Sequence, residues 1–68
     1  METVWVCEYS MEQGCFHVDT LDKVISMNRA AVLSGLNPGY MLLAVCATDK
    51  EARRFADKWR EKMRTVSK

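Results

Sequence analysis

From Tyr40 to Ala47 the chain runs without a charge, a proline or a glycine, and local stop signals bracket that run on both sides. Upstream stands Asn37-Pro38-Gly39, where proline sets φ and glycine accepts the positive φ of a type II turn. Downstream, Thr48-Asp49-Lys50-Glu51 forms a capping box: the Thr48 hydroxyl can accept the Glu51 backbone N–H while the Glu51 side chain reaches back. An apolar run of this length between a turn and a helix start reads as a strand. It constrains the rest of the chain, because one such strand needs both paired neighbours and an amphipathic cover.

The neighbours come earlier. Thr3 to Tyr9 is rich in β-branched and aromatic residues and predicts a first strand. Ser10 to Gly14 reads as a hairpin loop and Cys15 to Val18 as a short second strand. Asp19 or Thr20 can cap the helix that follows, about 20 to 34, whose apolar stripe is Leu21, Val24, Ile25, Ala31 and Val32. Gly35 suits a left-handed stop. After the capping box a second helix, about 49 to 64, gathers Ala52, Phe55, Ala56, Trp59 and Met63 on one face. Asp57 and Glu61 are a like-charge i,i+4 pair on it, a small penalty. The expectation is one α+β domain over residues 1–64, ββαβα in order, with a tail at 65–68. A crossover makes the second and third strands parallel, so the sheet order expected is 2-1-3, with both helices on one face.

With 68 residues the chain buries only about 60% of its unfolded surface, and domains this small usually lean on a metal, disulfides or a partner chain. No apolar run approaches the roughly 18 residues of a membrane span. The N-terminus lacks the basic-then-apolar pattern of a secretory signal, so a cytoplasmic location is expected, with Cys7, Cys15 and Cys46 as thiols. Net charge is +1 but uneven: residues 1–47 carry −3, and 48–68 carry +4.

Alternation places Val4, Val6 and Glu8 on one side of the first strand and Trp5, Cys7 and Tyr9 on the other. If Tyr9 pairs with Cys15, the helix-side core is Val4, Val6, Phe16, Val18, Met41, Leu43 and Val45. The opposite face, expected to be open, then holds Trp5, Cys7, Tyr9, Cys15, His17, Tyr40, Leu42 and Cys46, with no basic residue. A slip of one residue would bring Phe16 and Val18 to it instead. The alternative orientation turns Trp5 toward the helices and exposes the Val4 and Val6 side.

An exposed apolar patch marks an interaction surface, so Trp5, Tyr9, His17, Tyr40 and Leu42 are the candidate protein-binding residues. The charge-free edge of the third strand is a second candidate, through which two copies could pair about a two-fold axis. The function expected is a small non-enzymatic interaction module, a homodimer or a regulator docking on a larger protein, with no cofactor. A nucleic-acid accessory role would use Arg53, Arg54 and Lys58 on the second helix; it is disfavoured because the aromatic face carries no cation and acids intersperse the basic residues. Cys7, Cys15, His17 and Cys46 form the set for a metal or thiol site. They lack Cys-x-x-Cys spacing, and packing thiols are the ordinary reading. No phosphate-cradling loop or close carboxylate pair is present.

Overall fold

A computed structural model describes residues 3–37 and 39–66 of the 68, the last two by their backbone alone. The expected proline contribution to the 37–39 turn, and Ser67 and Lys68 of the expected tail, lie outside the described residues. The elements are β1 (Trp5–Ser10), β2 (Cys15–Thr20), α1 (Leu21–Leu33), β3 (Tyr40–Cys46) and α2 (Asp49–Val66). The sheet order is β2-β1-β3, with β1 antiparallel to both neighbours. This is the expected α+β architecture.

Local chemistry accounts for the boundaries. The Ser10 carbonyl accepts the Gly14 N–H at 2.8 Å and its hydroxyl accepts the Gln13 N–H at 3.0 Å, closing a loop of residues 11–14. Gly14 has φ +69°, a value that L side chains rarely adopt. Thr20 caps α1 by accepting the Lys23 N–H at 3.4 Å. The helix ends as a Schellman motif: Gly35 has φ +71°, Leu36 N–H bonds the Ala31 carbonyl at 2.8 Å, and Gly35 N–H bonds the Val32 carbonyl at 3.1 Å. Thr48 Oγ1 accepts the Glu51 N–H at 3.2 Å, the forward half of the capping box.

Two expectations are corrected. Because Ser10 is held inside the ladder by its own turn bonds, it pairs with Cys15, and Tyr9 pairs with Phe16. The register is therefore the one-residue slip. The helices also lie on opposite faces of the sheet, not on one. Cys7 lies against Ala52 and Ala56 of α2, whereas Glu8, next in the strand and pointing the other way, lies against Val24 and Ala31 of α1; with three strands spanning roughly 10 Å, one helix covers most of each face. The Cα extents, 39 × 31 × 11 Å, fit this arrangement, since the thin dimension matches the width of the sheet.

The two layers differ in quality. Beneath α2, Cys7, Ala52 and Ala56 form a fully enclosed centre, flanked by Trp5, Phe16, Val18, Ala44, Cys46 and Phe55. Small residues at Ala52 and Ala56 let the helix approach the strands closely. Beneath α1, Val24 is the one buried side chain of the helix, against the face that carries Val6, Glu8 and Ser10. Ile25 and Val32, expected in the core stripe, stay exposed because the sheet is too narrow to reach the flanks of the helix. Adding bulk at the tight layer should cost more than adding polarity at the loose one. Ala52→Leu is expected to destabilise by about 1–3 kcal/mol through overpacking, and Val32→Ser by less than about 0.5 kcal/mol, as read from urea melts.

Candidate functional site

Register and pleat decide which side chains meet. Trp5, Cys7 and Tyr9 pair with Thr20, Val18 and Phe16, so all six point toward α2. Tyr9 stacks edge-on against Phe16 at 5.0 Å, and the Arg60 guanidinium sits 5.5 Å from the Phe16 ring centre. Trp5 and Tyr9 are thus half-covered by α2 rather than displayed on an open face. The predicted five-residue patch divides: Trp5 and Tyr9 go to one side, His17, Tyr40 and Leu42 to the other. The same division separates the metal or thiol set, placing Cys7 and Cys46 on the α2 side and Cys15 and His17 on the α1 side. Among the described residues no group of three or more His, Cys, Asp or Glu could hold a metal ion, and the three cysteines are free thiols.

On the α1 side the sequence analysis missed a cluster. Glu8 pairs with His17 on one flank and Leu42 on the other, so its carboxyl sits mid-sheet under a helix. Glu8 is only 3% exposed. It lines a cleft of about 170 Å³ whose apolar wall is Val24, Met27 and Ala31 of α1 together with Leu36. Tyr40 closes one end of the cleft, and its ring lies 5.7 Å from that of His17, across the small Ser10. Asp19 Oδ2 is 3.5 Å from His17 Nε2. Burial pushes the Glu8 carboxyl above its ordinary pKa; His17 opposes that rise and Asp19 adds to it. The one available signal was a glutamate in an otherwise apolar strand, and alternation had placed it correctly beside Val6.

The second feature is the free side of β3. β1 pairs with one side of β3, and no strand among the described residues pairs with the other. A bulge at Leu43, between the Cys7 and Glu8 pairings, lets Leu42 and Val45 share the α1 side of the sheet. Leu42 is 49% exposed, Val45 60% and Met41 53%, so the edge is apolar on both faces. α1 leans toward β2 and leaves these side chains uncovered.

The basic residues of α2 are widely neutralised by their own helix. Arg53 Nε is 3.8 Å from Asp49, Arg60 Nη1 2.7 Å from Asp57 and Arg64 Nη2 3.4 Å from Glu61, while Lys62 lies 5.4 Å from the Trp59 ring centre. Arg54 and Lys58 are exposed on the outer side of the helix. No helix among the described residues is long and apolar enough to cross a membrane.

Two outcomes follow from the environments of Glu8 and Cys7. A carboxyl whose folded pKa lies above its unfolded one contributes stability that is present in acid and lost as pH rises through the folded value. Glu8→Gln is therefore expected to gain stability relative to wild type between about pH 4 and pH 7, measured by urea melts at one protein concentration. The groups facing Glu8 are His17 and Asp19 from β2, with Asn28 from α1 and no titratable α1 residue in the cleft. Burial likewise pushes the Cys7 thiol up, and nearby Cys46 adds to it. Timed labelling with a chromogenic disulfide at neutral pH should modify exposed Cys15 first and Cys7 last. No family model matches the chain, and comparison with curated proteins and with solved structures finds none that is similar.

Proposed function

We propose that this chain is a non-enzymatic interaction module that self-associates through the β3 edge, two copies pairing antiparallel about a two-fold axis into a six-stranded sheet. The observation that carries the reading is the uncharged, proline-free edge strand with Met41, Leu42 and Val45 all exposed. A bare edge of that kind offers backbone N–H and C=O groups to any passing strand, and proteins ordinarily blunt such edges with charge or cover them. Here neither device is present on β3, and the bulge at Leu43 interrupts the ladder without adding polarity.

The absence of charge on the strand favours a second copy over a charged partner, since no electrostatic match is needed. A cytoplasmic setting belongs to this proposal and rests on the three free thiols. A regulatory role would follow from the dimer as the unit that binds a larger protein.

Sedimentation equilibrium across low to high micromolar concentration tests the proposal. Wild type should dimerise. Val45→Lys, placed at an exposed position, should raise the dimer dissociation constant by roughly 100-fold while leaving the circular dichroism spectrum unchanged. A wild-type monomer at high micromolar concentration, or a Val45→Lys protein that dimerises as well as wild type, rejects it.

A further inference from the structure

We infer that the cleft between α1 and the sheet is a binding site for a guanidinium or ammonium group carried on a short alkyl stem, with Glu8 as its counter-ion. The inference stands apart from the β3 interface, because Glu8 lies on the central strand and the cleft is walled by α1. Three observations carry it.

The first is Glu8 itself. It is 97% buried by residue area, as its 3% exposure records, yet no cation of the described residues lies within ion-pair distance and no backbone or side-chain donor bonds its carboxylate. Even so, no buried side-chain oxygen is sealed away without a partner. Both statements hold together only if the Glu8 oxygens open into the cleft that they line. A carboxyl held in this way pays desolvation that His17 offsets only in part, with no ion pair or hydrogen bond among the described residues, an arrangement found where a ligand supplies the missing charge.

The second is the sign of the surroundings. Asp19 adds negative charge on the adjacent strand, and His17 lies between the two acids. Two carboxyl groups thus share this corner of the sheet with one imidazole, an acid-rich setting for a cation. Tyr40 adds an aromatic ring to the cleft lining, which favours a cation further.

The third is shape. The cleft, about 170 Å³, is close to the roughly 150 Å³ of a cavity that accepts benzene, so it suits about six or seven heavy atoms. Val24, Met27, Ala31 and Leu36 give the cleft a largely apolar wall, with Asn28 and Asn37 its other polar side chains, which fits methylene groups behind a charged head. An arginine side chain beyond Cβ, or a free alkylguanidine, has this size and polarity. The two sources share one chemistry.

The test uses the full chain at about pH 7.5, above the ordinary carboxylate range, followed by amide chemical shifts. The probes are n-propylguanidinium, its neutral isostere n-propylurea, and the capped peptide acetyl-Gly-Arg-Gly-amide. Saturable shifts at Glu8, Ala31 and Tyr40 with n-propylguanidinium, and at least about 10-fold weaker binding of n-propylurea, are expected. Glu8→Gln should weaken the cation by about 10-fold or more while leaving the urea unchanged. Ala31→Leu, which fills the wall without touching the carboxylate, should weaken both, and covers the case in which Glu8→Gln fails to fold. Tighter binding of the peptide than of the free guanidinium assigns the site to a partner's arginine, and the reverse assigns it to a small cation; both uphold the inference. No saturable shift up to roughly 50 mM, equal binding of cation and urea, or full retention in Glu8→Gln overturns it.

Discussion

The constraint on which the rest depends is the width of the sheet. Three strands make a platform little wider than one helix, and α1 and α2 take opposite faces of it. One goes to each face, and the central strand β1 becomes buried on both. That is why Val6 and Cys7, neighbours in sequence and pointing in opposite directions, are both fully enclosed. A strand between two helices has no solvent-facing side on which to place a polar residue, so every polar group on β1 must be tolerated inside.

Glu8 and the unequal helices follow from this. α2 crosses all three strands and packs through Ala52 and Ala56, whose small side chains bring the helix onto Cys7. α1 is anchored mainly by Val24 and held at its ends by the Thr20 cap and the Schellman turn. The gap that this looser packing leaves is the cleft, and Glu8 projects into it. Packing quality on one face thus generates a polar site on the other side of the same strand.

The width also explains the exposed edge. With one narrow helix per face, α1 over β2 and β1 leaves Leu42 and Val45 of β3 uncovered, and among the described residues no further strand lies beside β3. A fourth strand would satisfy both the backbone and the side chains, and a second copy is the source consistent with a charge-free strand. The edge and the cleft are therefore two consequences of one geometric shortage, not independent elaborations.

The sequence by itself determined the elements and their order, because the signals are local. Gly35 at a left-handed helix stop, Thr48 at a cap, alternation in β1 and the uncharged run of β3 each depend on a few adjacent residues. Only the tertiary structure decided which faces met. Two hydrogen bonds made by Ser10 shift the hairpin by one residue, and because side chains alternate, that shift moves Cys15 and His17 away from Cys7 and brings Phe16 and Val18 beneath α2. The placement of the helices on opposite faces is a property of the assembled sheet, whose width no single segment records. For the same reason the edge strand was legible in its uncharged run, whereas the Glu8 cleft was not: it exists only where three strands and a helix approach one another.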